Sequence, residues 1–135
     1  MINKDTIKLQ KYLLGYDKKF KWGESDCALF VAGAVDAQTG SSYLKQYQGS
    51  YNSALGALKF LKNLGFNNLE ELYASMFEEV EVNHAVNGDI VLFKEDNRMT
   101  SGIFYLGRII ASTEEGLKLF PLEYAVKFWR VEIDG

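Results

Sequence analysis

The amino-acid sequence predicts an α+β fold in which N-terminal helices pack on a C-terminal antiparallel β-sheet. In the first half of the chain, apolar residues recur with a helical period. The second half consists of short β-branched and aromatic segments separated by glycine or charged turns. These segments lie only a few residues apart, which indicates hairpins rather than alternating strands and helices. A length of 135 residues fits one domain, which we expect to span residues 1–135.

Two helices are expected before residue 40. The segment 5–15 is amphipathic and ends at a glycine. A second helix is predicted to begin with Ser25 as N-cap, so that Cys27 is its second residue, and to end near Gln38. Residues 28–35 are apolar almost all round, so this helix should form the buried centre of the fold. The inner positions expected for the first helix are Ile7, Leu9, Tyr12, Leu13 and Leu14.

Two further helices are predicted before the sheet. One covers residues 53–63 and is followed by Gly65, a residue suited to a left-handed cap. The next begins after Asn68, where Glu71 three residues later completes a pattern similar to a capping box. Nothing helical is expected after about Phe77.

The second half is predicted to contain five strands. They are the segments "GDIVLF", "SGIFYL", "RIIAS", "LKLFPL" and "KFWRVEI". Ahead of them, the acidic residues Glu78, Glu79 and Glu81 are interpreted as a solvated edge.

Three tyrosines at a spacing of four allow two interpretations. Tyr43, Tyr47 and Tyr51 lie in the polar stretch "SSYLKQYQGSY". Tyrosine combines apolar area with a hydrogen-bonding tip, so the three could form a surface for protein contacts. The same spacing is also expected of a helix face that packs against the chain's own core.

Composition and charge exclude several classes of function. The net charge of −3 and the lack of a basic stripe argue against nucleic-acid binding. No apolar segment is long enough for a membrane span, and the first ten residues lack the apolar core of a signal peptide. One cysteine and one histidine exclude an internal disulfide and give too few ligands for a metal site, so we expect neither metal nor cofactor.

Cys27 is the residue with the clearest chemical potential. Backbone N–H groups at the start of a helix favour a thiolate, which is the nucleophilic form of cysteine. The neighbouring Asp26 carboxylate opposes ionisation. A packed thiol that behaves as a small hydrophobic side chain fits the composition equally well.

Several segments around Cys27 and in the sheet resemble a known enzyme family. "WGESDCALFVAGAV" is similar to the nucleophile segment of NlpC-type, papain-like cysteine peptidases, and "VNGDIVLF" and "SGIFYLGRIIAS" resemble the strands that follow in that family. The segments "GLKLFPL" and "FWRV" follow further along the chain. The order of all these segments over residues 20–132 is still more similar to that in proteins of tailed phages and prophages that are grouped beside those peptidases.

The resemblance implies a papain-like core and assigns roles to particular residues. It places Cys27 on the nucleophile, Asp26 beside it, and Trp22 on the wall of the substrate cleft. Active relatives carry their general base, a histidine, where this chain has Thr100 and Ser101. Neither of these side chains accepts a thiol proton at neutral pH.

His84 is the remaining candidate for a base. It precedes the first predicted strand, whereas the base belongs at the start of the second, and these two starts lie roughly 15–20 Å apart in an antiparallel hairpin. A loop that folds back would bring His84 to Cys27. The ordinary alternative is a solvated residue ahead of the strand.

These observations predict a phage or prophage tail-associated protein with an NlpC-like fold and weak or lost hydrolase activity. The alternative is an active cysteine peptidase that cuts amide bonds in peptidoglycan stem peptides. The partners implied by the resemblance are other tail proteins and peptidoglycan. The protein would then be found in the virion, or in the host bacterial cytoplasm before assembly.

Overall fold

A computed structural model describes residues 2–133 of the protein. It confirms the predicted α+β class. Within these residues, no helix has both the length and the hydropathy that crossing a membrane requires. Four of the five helices were predicted, and the fifth lies in the tyrosine-rich stretch. The helices are α1 (Thr6–Leu14), α2 (Cys27–Thr39), α3 (Tyr43–Tyr47), α4 (Ala54–Asn63) and α5 (Leu69–Met76).

The strands form one antiparallel sheet with the order β1-β6-β2-β3-β4-β5. Five of them match the predicted segments. The unpredicted strand β1 has only three residues, two of them glutamates, and it exists because it pairs with β6. Short 3-10 turns precede β2 and β6. The strands are β1 (Glu78–Val80), β2 (Ile90–Glu95), β3 (Arg98–Tyr105), β4 (Arg108–Thr113), β5 (Gly116–Phe120) and β6 (Ala125–Arg130).

The sheet separates two apolar clusters, one on each face. The larger cluster joins α1, α2 and α5 to the sheet. The smaller cluster lies among the strands on the opposite face. This division follows from strand geometry, because successive side chains point to opposite faces. The larger cluster includes Leu9, Phe30, Tyr73, Ile90, Leu92, Ile103 and Trp129, and the smaller one includes Val91, Phe93, Ile109, Phe120 and Phe128.

Helix α2 is the buried helix that the sequence predicts, but the prediction of Ser25 as its N-cap is wrong. Asp26, not Ser25, is the cap, because its carboxylate accepts a hydrogen bond from the backbone N–H of Leu29 at 3.0 Å. Cys27 is therefore the first residue of the helix rather than the second. The helix ends at Gly40, whose φ of 75° is the left-handed conformation expected of a C-terminal glycine.

Helices α1 and α4 bury fewer apolar residues than their periodicity predicts. In α1, Leu9 and Leu13 are buried, whereas Ile7 and Leu14 are 65% and 81% exposed. In α4, no residue is buried. The predicted inner stripe of α1 is therefore wrong at two positions, since only one narrow side of the helix meets the core.

A buried ionic cluster joins the two ends of the chain to the sheet. The Asp89 carboxylate is fully buried and accepts hydrogen bonds from the backbone N–H groups of Val86 and Val131 and from the guanidinium of Arg130. The Lys4 ammonium lies 3.5 Å from the same carboxylate. Burial lowers the pKa of Lys4, and the charge of Asp89 opposes this effect.

We expect Asp89→Asn to lower the free energy of unfolding by about 3 kcal/mol, because it leaves a buried cation without its counter-charge. Urea denaturation at neutral pH measures the change. The matched control is Glu115→Gln, which removes a carboxylate from the exposed pair with Lys118 and should change stability by less than about 1 kcal/mol. Equal effects of the two substitutions would contradict a stabilising role for the Asp89 cluster.

Candidate functional site

The first turn of α2 presents the Cys27 thiol to strand β3. Cys27 is the only cysteine, it is unpaired, and it is partly exposed. The hydroxyl of Thr100 and the backbone N–H groups of Ser101 and Ala28 lie near its sulfur. The structure thus brings together Cys27, Asp26, Thr100 and Ser101, four of the residues that the sequence selected.

The surroundings of Cys27 keep its thiol protonated. Burial raises the pKa of Cys27 above its ordinary value, and the negative charge of Asp26 raises it further. Hydrogen bonds from Thr100 and from the two backbone N–H groups act in the opposite direction, but the net shift is upward. Because the thiolate is the nucleophile, this site favours the less reactive form at neutral pH.

The Asp26 carboxylate organises the entrance to α2. Only 1% of the residue is exposed, and its two oxygens accept three hydrogen bonds. One oxygen caps the helix at Leu29, and the other accepts from the backbone N–H of Gly23 at 2.9 Å and from the hydroxyl of Tyr51 at 2.7 Å. This buried charge is stabilised because each of these bonds is made to the ionised form.

Gly23 allows two chain segments to meet beside Asp26. Its φ of 81° is a left-handed conformation, and a Cβ at this position would collide with the carbonyl oxygen of Tyr51. The carbonyl oxygen of Gly23 also accepts a hydrogen bond from the backbone N–H of Gly49. The segment before α2 is therefore joined to the segment that carries Tyr51.

Two further hydrogen bonds fix the position of the thiol relative to the sheet. The hydroxyl of Ser112 in β4 donates to the carbonyl oxygen of Ser25 at 3.1 Å. The buried hydroxyls of Tyr73 in α5 and Ser101 in β3 lie 2.9 Å apart. The start of α2 and the facing part of β3 are thus each held by a neighbouring element.

A half-open apolar cavity of about 360 Å³ extends from Cys27 between helices α2, α4 and α5. Trp22 is among the residues that line it. Its apolar lining includes residues of α2 (Ala28, Val31, Ala32, Val35), α4 (Ala57, Leu58, Phe60, Leu61) and α5 (Leu69, Leu72, Tyr73, Met76), the tyrosines Tyr43, Tyr47 and Tyr51, and Leu64 and Met99.

The three tyrosines pack on the chain itself. The rings of Tyr43 and Tyr47 are parallel, with centroids 6.4 Å apart, and Phe60 of α4 lies 5.8 Å from both Tyr47 and Tyr51. All three side chains are half-buried. These contacts favour the interpretation that the spacing of four reflects internal packing, with Tyr51 additionally bonded to Asp26.

His84 lies apart from the thiol. It is exposed, and its carbonyl oxygen accepts a hydrogen bond from the guanidinium of Arg130, which also binds Asp89. Along the β2–β3 pair, Asp89 lies about four residues beyond Thr100, which corresponds to roughly 14 Å. The structure therefore does not bring His84 to Cys27, and His84 has the solvated position that was the alternative.

The sequence did not predict the roles of Tyr51 and Tyr73 in the site, and it did not predict the cavity. Tyr51 binds Asp26 and Tyr73 binds Ser101, yet each is separated from its partner by more than 20 positions in the chain. A partial signal exists for Tyr73, because its spacing from Leu69 and Met76 places it on the apolar side of its helix. Within residues 2–133, no three His, Cys, Asp or Glu side chains are grouped as a metal ion would require.

The fold and the site define an α+β protein in which a buried helix presents a protonated thiol to an antiparallel sheet. The chain belongs to the family described as domain of unknown function DUF6950, whose model matches residues 4–131. No curated protein matches the chain.

We expect alkylation of Cys27 by iodoacetamide to be slow at pH 7 and to rise steeply only above pH 9. The reason is the raised pKa of the thiol, which delays formation of the thiolate until alkaline pH. Mass spectrometry of the labelled protein gives the rate at each pH. The same chain unfolded in urea is the control, and it should react at least about tenfold faster at pH 7. A folded protein that reacts as fast as the unfolded chain at pH 7 would contradict the raised pKa.

We expect Tyr51→Phe to lower the free energy of unfolding by about 2 kcal/mol, because a hydrogen bond to a charged acceptor typically contributes 1.5–3 kcal/mol. Urea denaturation measures this loss. Tyr124→Phe, at an exposed position, is the control and should change stability by no more than about 0.5 kcal/mol. If both substitutions had the same small effect, the Tyr51–Asp26 hydrogen bond would not support the site.

Proposed function

We propose that this chain is an NlpC-type, papain-like domain with weak or lost hydrolase activity that serves as a tail-associated component of a phage or prophage. One observation carries the loss of activity. The side chain that meets the Cys27 thiol is the hydroxyl of Thr100, at the position where the resemblance expects a histidine. Without an imidazole, nothing in the site accepts the thiol proton at neutral pH.

The general arrangement supports the papain-like part of the proposal. A cysteine begins a buried helix, the helix packs against an antiparallel sheet, and the thiol faces the second long strand of that sheet. In an active enzyme of this type, a positively charged histidine stabilises the thiolate. Here the nearest charged side chain is the Asp26 carboxylate, which has the opposite effect. Loss of one member of such a pair typically reduces the rate by several orders of magnitude.

One observation favours the alternative, an active cysteine peptidase that cuts peptidoglycan amides. The backbone N–H groups of Ala28 and Ser101 lie near the sulfur and act to lower its pKa. Such groups are also the donors that stabilise an oxyanion during acyl transfer. They do not supply a base, so this alternative requires a proton acceptor from outside the described residues or from a partner.

The tail-associated role rests on the order of segments over residues 20–132, and the surface of α1 offers a place for partner contacts. Ile7 and Leu14 are largely exposed, and their spacing of seven places them on one side of the helix. The tyrosines first considered for this purpose are occupied by internal contacts. Other tail proteins are the partners we propose, in the virion or in the host cytoplasm before assembly.

The substitution Thr100→His tests whether the thiol faces the position of a lost base. Thr100 is only half-buried, so a larger side chain can be accommodated. We expect the new imidazole to lower the pKa of Cys27 and to raise its alkylation rate at pH 7 by about tenfold or more. Arg108→His, at an exposed position on β4, is the control and should leave the rate unchanged. An unchanged rate in Thr100→His would contradict the papain-like arrangement.

Hydrolase activity is measured by the release of new amino groups from purified peptidoglycan. We expect the wild-type protein to release no more than Cys27→Ala, consistent with a lost function. Release by the wild type that disappears in Cys27→Ala would overturn this part of the proposal and favour the peptidase. Co-purification with assembled particles tests the tail association, and a protein that is always recovered as a solitary monomer would contradict it.

A further inference from the structure

We infer that the cavity beside Cys27 binds a neutral, mainly apolar small molecule of chain-like form. This inference does not depend on the proposed function, since it rests on the volume, lining and charge of the cavity alone. The cavity is defined above by its lining from α2, α4 and α5, and it measures about 360 Å³. Pockets for small molecules generally lie between about 300 and 1,000 Å³.

The position of α4 creates the cavity. One side of α4 carries Ala57, Phe60 and Leu61, yet none of its residues is buried, because this side faces the cavity rather than close-packed core. The ring of Phe60 contacts those of Tyr47 and Tyr51, with centroids 5.8 Å apart in each pair. The apolar atoms that line an empty cavity lack dispersion contacts on the side that faces the cavity, and an apolar ligand supplies these contacts.

The cavity is accessible from solvent. Leu58, Leu64 and Met99 line it and are 40%, 41% and 46% exposed. Because these lining side chains are exposed, the cavity opens to solvent. An apolar molecule can therefore enter without unfolding of the protein.

The volume of the cavity limits the size of the ligand. An amphipathic helix with its side chains is about 10 Å in diameter and does not fit into 360 Å³. A group the size of a water molecule occupies about 30 Å³, so the cavity accommodates roughly twelve such groups. A single hydrocarbon chain of about this many carbons matches the space.

The charged side chains of the lining limit the polar group that the ligand can carry. Among the residues that the structure describes, the acidic side chains of the lining are Asp26 and Glu70, and no lysine or arginine lines the cavity. Glu70 is paired with Lys127 at 2.8 Å, and the oxygens of Asp26 already accept three hydrogen bonds. A carboxylate would therefore meet no cation in the lining, and an ammonium would find at Asp26 only the last of about four acceptor sites that a carboxylate offers. A neutral head group avoids both costs.

The experiment uses the full chain and two probes of equal chain length, 1-dodecanol and dodecanoate, at pH 8 and below their solubility limits. Displacement of the fluorescent dye N-phenyl-1-naphthylamine reports binding. We expect dodecanol to displace the dye in a saturable way and dodecanoate to bind about tenfold or more weakly. No saturable binding of dodecanol, or tighter binding of dodecanoate, would overturn the inference.

A second readout locates the ligand. Cys27 lines the cavity, so bound dodecanol should slow the reaction of its thiol with N-ethylmaleimide by about tenfold at saturation. Binding without protection of Cys27 would show that the molecule occupies another place and would contradict the inference.

A matched pair of substitutions tests the cavity itself. Ala57→Phe places a ring in the cavity from α4 and should weaken dodecanol binding by about tenfold or more. Ala74→Phe adds the same ring at an exposed position of α5 outside the lining and should leave binding unchanged. Circular dichroism verifies that both variants fold. Equal affinities in the two variants would overturn the assignment, and the wild-type measurements remain decisive if Ala57→Phe does not fold.

Discussion

The Asp26 carboxylate is the constraint on which the site depends. A buried charge is tolerated only when its hydrogen-bonding capacity is met, and here the donors come from three places: the first turn of α2, the loop at Gly23 and the hydroxyl of Tyr51. Satisfying this one group therefore fixes where the helix begins, where the preceding loop passes and where the tyrosine segment lies. The positions of the Cys27 thiol and of one wall of the cavity follow from it.

The same carboxylate limits what the thiol can do. The start of a helix normally favours an anion, and the backbone N–H groups near Cys27 do so here. Burial and the adjacent negative charge outweigh them, so the thiol stays protonated at neutral pH. A cationic partner on β3 would reverse this balance, but the position carries Thr100. The negative charge of Asp26 thus supports the structure through its hydrogen bonds but opposes ionisation of the Cys27 thiol.

The cavity and the ionic cluster at Asp89 show two different solutions to packing in a small protein. At the end of the sheet near Asp89, buried charges are matched closely and tie both ends of the chain to β2 and β6. Helix α4, by contrast, contacts Tyr47 and Tyr51 through Phe60 and borders the open cavity. We therefore expect rigidity to be concentrated around the sheet and adaptability around α4.

The sequence by itself determined the features that depend on local periodicity and local capping. The order of helices and strands, the buried character of α2, and the end of that helix at Gly40 all follow from residues within a few positions of one another. Only the tertiary structure showed that Asp26 rather than Ser25 is the cap: the Ser25 hydroxyl donates instead to the carbonyl oxygen of Lys19, and the Asp26 carboxylate, which caps α2 at Leu29, also accepts from the distant Tyr51. It also decided that β1 forms and that His84 and Cys27 lie apart. The β1–β6 pairing, the Tyr51–Asp26 hydrogen bond and the hydrogen bond from Arg130 to His84 join residues far apart in the sequence, and local patterns carry no information about such pairs.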